Sequence, residues 1–491
     1  MTDYINIKNR VIKSSMIMAG SQILGKIIIF IGLIGLARLL KPYDFGMALL
    51  IQTFVSFFSL FKMEVFNSAL VYDRSETDSI YNAGFSGDFL FSFLLFGIMC
   101  SLASLWSRFY KQEALIGAAR LFGLIMLIES FAVVPKVKLI KKLAFGLLGM
   151  AGLLVTFIQT CATIAFAMNG FSFWSIIYGS LIAAVVSVLL LNLLEPSRPQ
   201  MHFDMNILKR LVGYGKYILI INVAGFLLYA ISGVAIGKIL SVASAGYYNI
   251  AYRWGFWPFN NIFTSLEGIL FPIYSKYRAD SEAMRGLFLK TLRYSSVLML
   301  PIFLVLFFLA PEFTNIILGE RWSPIVIPLR IFCIAGFVQF LGYLSNPLLK
   351  GQGYVNIESR RVCLHIALLL LFLFPLIYTM QIIGASLAML FATIITQLAF
   401  YVYSTNVLKI DKREPVRNLY EPIVAAFVMG LAILLTKRFI SVFPMSMIWR
   451  FIILIASGSL AYALAIIKLM KQEIAFEARY IWTLYKRGAA A

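Results

Sequence analysis

Fourteen apolar runs, each long enough to cross a lipid bilayer as a helix, make up most of this sequence. The hydrocarbon core of a bilayer is about 30 Å thick, which roughly 20 helical residues span. The runs lie near 14–40, 46–70, 83–107, 114–134, 143–168, 171–194, 212–237, 246–273, 294–312, 325–349, 362–380, 382–406, 420–437 and 446–468. Because no connection is long enough to fold alone, we predict an all-α integral membrane protein of about 14 transmembrane helices.

The composition excludes soluble classes of protein. Hydrophobic residues make up 61% of the chain and charged residues 13%, whereas a soluble protein carries about 25% charged residues. The formal net charge of +21 would suggest nucleic acid in a soluble chain. Here the basic residues stand in short clusters between apolar runs, which is typical of an oriented membrane protein. We therefore predict no nucleic-acid partner.

Sites for a metal, a cofactor or catalysis are not evident. The four cysteines lie inside apolar runs, and the two histidines are far apart: Cys100, Cys161, Cys333, Cys363, His202 and His365. This spacing predicts neither a metal site nor a disulfide framework. Nucleophile motifs, glycine-rich phosphate loops and outer loops with paired carboxylates are also missing. We predict that the protein is not an enzyme and has no cofactor.

Lysine and arginine are distributed unequally between the two sides of the membrane. With the N-terminus inside, 30 of the 43 basic residues fall on the inner side, 11 on the outer side and two within spans. Basic residues are enriched in cytoplasmic segments. We therefore predict a multi-pass protein of the cytoplasmic membrane with both termini in the cytoplasm.

Two stretches 200 residues apart resemble each other. Residues 37–40, Ala-Arg-Leu-Leu, are followed by Gly46, and residues 237–240, Gly-Lys-Ile-Leu, are followed by Gly246. The two copies end spans that are six helices apart, so they share one orientation, as in repeats related by an axis along the membrane normal. The simpler explanation is that any outer helix end can carry a basic residue and a glycine turn.

The repeat predicts two six-helix lobes, with two further helices appended and a substrate cleft between the lobes. The predicted domains are an N-lobe over 1–194, a cytoplasmic linker over 195–211, a C-lobe over 212–406, and the last two spans with a basic cytoplasmic tail over 407–491.

Polar side chains within the predicted spans are candidates for substrate contact, because charged groups are costly in hydrocarbon. In the first span Lys26 follows Gln22 by four residues, and Gln22 aligns with Asn222 at the repeat offset. In the eighth span six residues share one face of a regular helix: Asn249, Arg253, Trp257, Asn260, Thr264 and Glu267. A cavity with these side chains could bind phosphate through its cations and sugar through its indole and amides. The structural alternative is an Arg253–Glu267 or Lys26–carboxylate ion pair that only holds helices together.

Two carboxylates at membrane depth are candidates for coupling to H⁺ or Na⁺. Asp88 lies in the third predicted span and Glu129 in the fourth. Intramembrane carboxylates commonly mark ion or proton pathways, but no spacing distinguishes one of these two from the other.

Several motifs resemble those of polysaccharide flippases. Residues 36–46, LARLLKPYDFG, resemble the "LARLL-P-DFG" ending of the first helix in this family. Residues 236–240, IGKIL, and 246–253, GYYNIAYR, resemble its "IGR-L…LGYYN-AYR", and residues 270–275, LFPIYS, its "LFPALS". The likeness runs from about residue 10 to 290. The family comprises Wzx-type exporters of O-antigen and colanic-acid repeat units, within the multidrug/oligosaccharidyl-lipid/polysaccharide superfamily.

The resemblance implies two lobes around a cationic central cavity that opens alternately to either side of the membrane. The implied cargo is an oligosaccharide linked to undecaprenyl or dolichyl diphosphate, and polymerase and chain-length proteins of the same pathway are candidate partners. One departure matters, because the family often has an Asp shortly before "IGR" and this chain has Ser232-Gly233. A coupling role of that Asp therefore does not transfer.

Other functions stay open at this point. A cation-coupled multidrug exporter of the same superfamily would favour acidic cavity residues, against which Lys26 and Arg253 argue. A polysaccharide polymerase or ligase would need a sizeable outer loop with catalytic side chains. A non-transporting scaffold of the assembly pathway would not require charged residues within the membrane.

Overall fold

A computed structural model shows an all-α membrane protein, which confirms the predicted fold class. It describes residues 2–63, 70–72, 77–202, 204–205, 223, 225–228, 230–277, 280–351, 356–407, 410–411, 413–471 and 473, without the side chains of 2–12, 63, 264, 265, 281, 351 and 356. Within these ranges the chain contains no β-strand. Eleven of the helices there are long and apolar enough to cross a membrane.

The main helices of the described residues run in the following order along the chain. They are α1 Thr2–Leu39, α2 Pro42–Met63, α3 Asp78–Tyr110, α4 Ala114–Lys141, α5 Phe145–Met168, α6 Trp174–Leu194, α7 Gly225–Ile239, α8 Val242–Gly255, α9 Thr264–Lys276, α10 Ser281–Phe308, α11 Val326–Tyr343, α12 Asn346–Gly351, α13 Asn356–Val407, α14 Arg413–Asn418, α15 Tyr420–Ile440 and α16 Met447–Leu469. Residues 310–325 form short α, π and 3₁₀ turns before α11.

The positions of most described helices agree with the spans predicted from the sequence. Turns separate the fifth and sixth predicted spans at Gly170, with φ 81°, and the eleventh and twelfth at Gln381, with φ 53°. A β-carbon on Gly384 would overlap the carbonyl oxygen of Leu376, so glycine is needed where the two halves of α13 approach each other. Much of the seventh predicted span lies outside the described residues, so the count of 14 stays a prediction.

Close contacts divide the chain into two compact units, Met1–Asn249 and Ile250–Ala491. In the first unit, α1 packs on α5, α3 on α4, and α6 on both α4 and α5. In the second unit, α11 packs on α10 and α13, and α15 on α10 and α16. The lobe and linker boundaries drawn from the sequence stay a prediction.

The two sequence repeats meet in the first unit through their glycines. A β-carbon on Gly46 would overlap the carbonyl oxygen of Val242, and one on Gly246 would overlap that of Pro42 and lie 2.9 Å from the Gly46 nitrogen. Pro42 and Val242 are themselves 200 residues apart, so the contact is symmetric about the repeat offset. The starts of α2 and α8 therefore cross in backbone contact, which only glycine permits.

The last two long helices are fixed to the second unit by apolar packing and ion pairs. Buried side chains of α10, α15 and α16 form one cluster, and the Tyr462 hydroxyl donates to the carbonyl oxygen of Val297 at 2.9 Å. The guanidinium of Arg293 contacts Glu421 at 2.6 Å and Glu473 at 2.5 Å. These contacts tie α15 and α16 to α10.

Candidate functional site

The eighth predicted span is not one continuous α-helix, which corrects the stripe derived from the sequence. α8 ends at Gly255, the chain bends at Phe256, and Phe259–Phe263 is a π-helix before α9 begins. Pro258 lacks the amide hydrogen that a regular helix would use there. The extra residue in a π turn rotates whatever follows by about 100°. Asn249 and Arg253 therefore share a face, but that face does not continue along α9.

The environments of the stripe residues differ accordingly. Arg253 and Trp257 are half-buried, Asn249 is buried and Asn260 is exposed. The side chain of Thr264 lies outside the described part of the chain. The carboxylate of Glu267 accepts a hydrogen bond from Lys350 Nζ at 2.9 Å, so its cation partner is Lys350 and not Arg253, as the structural alternative would have required.

The polar residues of the first span lie on α1. Lys26 is half-buried and Gln22 is exposed, one helical turn earlier. Gly25 between them is buried, although a β-carbon there would have no neighbour within 4 Å. Asn222, the predicted counterpart of Gln22, lies outside the described residues.

The two candidate carboxylates belong to one charged cluster in the first unit. Lys62 Nζ lies 3.6 Å from Asp88 Oδ2, and the exposed fractions of the two side chains are 4% and 1%. The same ammonium donates to the carbonyl oxygen of Met126. Nearby, the Ser130 hydroxyl donates to the Ser92 hydroxyl at 3.2 Å. A buried ion pair thus connects α2 and α3, with α4 packed against it.

Glu129 faces a cavity of about 480 Å³ beside this cluster. Lys62 and Lys136 also line the cavity, while α1, α5 and α6 supply apolar and small side chains. Lys62 therefore touches both the cavity and Asp88. Sequence analysis counted Lys62 only as one of the basic residues of the inner side, and the structure adds that its side chain is buried beside Asp88. The informative signal was Asp88, because a buried intramembrane carboxylate needs a cation partner.

A second polar cluster, in the second unit, was also missed. The Arg361 guanidinium, 3% exposed, pairs with Glu358 and donates to the Tyr343 hydroxyl. One turn later, neither ring nitrogen of buried His365 and neither amide atom of Gln397 has a hydrogen-bond partner among the described residues. Sequence analysis did not single out Arg361, which directly precedes the predicted span 362–380.

The described residues offer no group of three or more His, Cys, Asp or Glu side chains that could hold a metal ion. Their charged groups are arranged as ion pairs and as cavity-lining cations and carboxylates. Such groups can bind a charged or polar molecule, or a proton, within the membrane.

Comparison with known proteins identifies a family model and several relatives. The model described as "Polysaccharide biosynthesis protein" matches residues 35–327, which is more than half of the chain. The lipopolysaccharide biosynthesis protein WzxC of Escherichia coli (strain K12) is 26% identical over 313 residues. That match covers 60% of this chain and 62% of WzxC, so the matched part spans less than two thirds of that relative.

Other similarities extend over nearly the whole chain. The succinoglycan biosynthesis transport protein ExoT of Rhizobium meliloti (strain 1021) is 21% identical over 446 residues, covering 88% of this chain and 87% of ExoT. A solved structure of the lipid II flippase MurJ, in an inward closed conformation, superposes with a TM-score of 0.76 at 14% identity. It covers 94% of this chain and 100% of that one, so the two share a fold.

Proposed function

Because the chain belongs to the polysaccharide biosynthesis protein family, we propose that it carries polyprenyl-diphosphate-linked oligosaccharide repeat units across the cytoplasmic membrane. The match of the family model to residues 35–327 carries this proposal. It includes the motifs at 36–46 and 236–275 that resemble polysaccharide flippases. The likeness of fold to a lipid II flippase supports lipid-linked cargo. The product would serve O-antigen, exopolysaccharide or capsule assembly.

The proposed mechanism is alternating access, in which the residues that bind substrate face the two sides of the membrane in turn. The polyprenyl tail stays in lipid, so only the sugar and diphosphate need a polar path. We assign the cytoplasm to both termini from the distribution of basic residues. Polymerase and chain-length proteins of the same pathway are the proposed partners, since they would consume the translocated unit.

Deleting the gene from its source strain tests the function directly. We expect surface polysaccharide to disappear and the lipid-linked repeat unit to accumulate in the cytoplasmic leaflet, where its sugars resist a membrane-impermeant glycosidase. Restoring the gene should return the sugars to the outer leaflet. An accumulated unit whose sugars are already accessible from outside would instead indicate a step after translocation, such as polymerisation.

Lys26 and Arg253 are the residues that we propose to bind the diphosphate. Both are half-buried cations at membrane depth, and a guanidinium pairs well with phosphate oxygens. Hydrogen bonds to charged groups contribute about 1.5–3 kcal/mol. We therefore expect Arg253→Ala to lower translocation about ten- to a hundredfold at an unchanged amount of membrane-inserted protein. Lys26→Ala should cause a smaller loss, which Lys26→Arg should partly restore.

Arg330→Ala is a matched control for Arg253→Ala. Arg330 is also a half-buried intramembrane arginine, but its side chain donates to the Phe307 carbonyl oxygen at 3.1 Å and lies over the Phe307 ring. Its replacement should leave translocation close to that of the unaltered protein. Full activity of Arg253→Ala, or equal losses in both variants, would remove Arg253 from the binding site.

A further inference from the structure

Glu129 is a carboxylate in the membrane-spanning helix α4 and opens onto the cavity of the first unit. It lies 15 residues after the start of α4 and 12 before its end, which is about 22 Å and 18 Å along the helix axis. Its side chain is exposed to the cavity. Among the described residues none forms a hydrogen bond or an ion pair with its carboxylate. An ionised carboxylate at this depth is costly, so this position favours binding of a positive charge.

The charges that face Glu129 come from three helices. Lys62 on α2 and Lys136 on its own helix favour the ionised carboxylate, and Asp88 on α3 opposes it. The other helices that line the cavity, α1, α5 and α6, contribute no titratable side chain there. Among the described groups, two cations and two carboxylates therefore balance, and one added proton leaves these four groups with a single positive charge.

Lys62 lies beside Asp88 and also faces the cavity of Glu129. Its ammonium is 3.6 Å from Asp88 Oδ2, an oxygen that accepts no hydrogen bond from the described residues, and it lines the cavity onto which Glu129 opens. A sodium ion coordinated by Asp88 would compete with this ammonium for the same oxygen. A proton on Glu129 does not compete with it, because the proton binds to one oxygen of the Glu129 carboxylate.

We propose that Glu129 is a proton-binding site of the first unit, loaded from water in the cavity, and that Lys62 is its positioning residue. A hydronium ion in the cavity gives its proton to a Glu129 carboxylate oxygen, and no other bond is made or broken. With Glu129 protonated, Lys62 pairs with Asp88 as in the structure. When the proton leaves, Lys62 is attracted to both carboxylates, and the end of α2 moves with it. The link from this proton to translocation rests on the proposed function.

Infrared difference spectroscopy on the full-length protein in lipid bilayers tests the site without transport. Lowering the pH should produce a carboxylic-acid C=O band that Glu129→Gln lacks. The matched control is Glu113→Gln, since Glu113 is an exposed carboxylate one residue before α4, and it should keep the band. An unchanged band in Glu129→Gln would overturn the proposal. So would a carboxylate band that responds to NaCl at constant pH and is lost in Glu129→Gln.

Reconstituted vesicles test the coupling. With lipid-linked oligosaccharide as substrate, translocation by the unaltered protein should be faster with an imposed pH gradient than without it. The ratio of the two rates should fall to one in Glu129→Gln and persist in Glu113→Gln. A ratio of one in the unaltered protein would overturn the coupling role and leave the proposed function intact. A lack of any translocation would count against the proposed function, while the spectroscopic result would still decide the proton site.

Discussion

Gly46→Ala and Gly246→Ala should each lower the thermal stability of the protein by a similar amount. In both variants the new methyl group meets a backbone carbonyl oxygen, of Val242 or Pro42, which no change of side-chain rotamer can relieve. Overpacking of this kind typically costs about 1–3 kcal/mol. In a domain of up to 250 residues, each kcal/mol lowers the unfolding midpoint by about 2–4 °C. Thermal unfolding of the purified protein in detergent measures this shift.

Glycines without neighbours provide the control. A β-carbon on Gly20 or Gly97 would meet no atom within 4 Å, and alanine favours a helix over glycine by about 1 kcal/mol. Gly20→Ala and Gly97→Ala should therefore leave the midpoint unchanged or raise it slightly. If Gly46→Ala has the same unfolding midpoint as these controls, the close crossing of α2 and α8 is wrong.

The double variant tests whether the two glycines form one contact. The first methyl group already separates the helices, so the second causes less additional overlap. The combined loss of thermal stability should therefore be smaller than the sum of the single losses. Additive losses would mean that Gly46 and Gly246 lie at independent contacts.

The fold was predictable because membrane spans are encoded locally. Long apolar runs predicted the helices, and the family resemblance agrees with the match over residues 35–327. The repeat could be read from matching residues 200 positions apart in the sequence. The contact between Gly46 and Gly246 could not, because it depends on tertiary packing. The π-helix at Phe259–Phe263 could not be derived from residue spacing, because the predicted stripe assumed a regular α-helical period.

The candidate site was less predictable because ion pairs depend on packing. The sequence singled out Asp88 and Glu267 as charged groups at membrane depth, but not their partners Lys62 and Lys350, which lie at the ends of α2 and α12. A lysine side chain is long and can reach back from a helix end into the membrane. Counting basic residues by side of the membrane therefore does not predict which of them form ion pairs.

Lys62→Met should destabilise the first unit strongly. It leaves the Asp88 carboxylate, 1% exposed, without its cation, and breaking a buried ion pair in this way costs about 3–5 kcal/mol. Asp88→Asn should cost less, because the Lys62 ammonium keeps the Met126 carbonyl oxygen and also lines the cavity onto which Glu129 opens. The measurement is the unfolding midpoint of each variant in the same detergent.

The double variant Lys62→Met/Asp88→Asn distinguishes loss of the ion pair from the cost of leaving one buried charge without its partner. With both charges removed, no buried charge is left uncompensated, so the double variant should be more stable than Lys62→Met alone. Lys142→Met is the matched control, because Lys142 is 60% exposed and pairs with Glu195 at 2.6 Å, where a surface pair contributes about 0–1 kcal/mol. If Lys62→Met costs no more than Lys142→Met, Lys62 is not a buried partner of Asp88. It would then be unable to act as the positioning residue for Glu129, because that role requires the ammonium to be held beside Asp88 at the cavity.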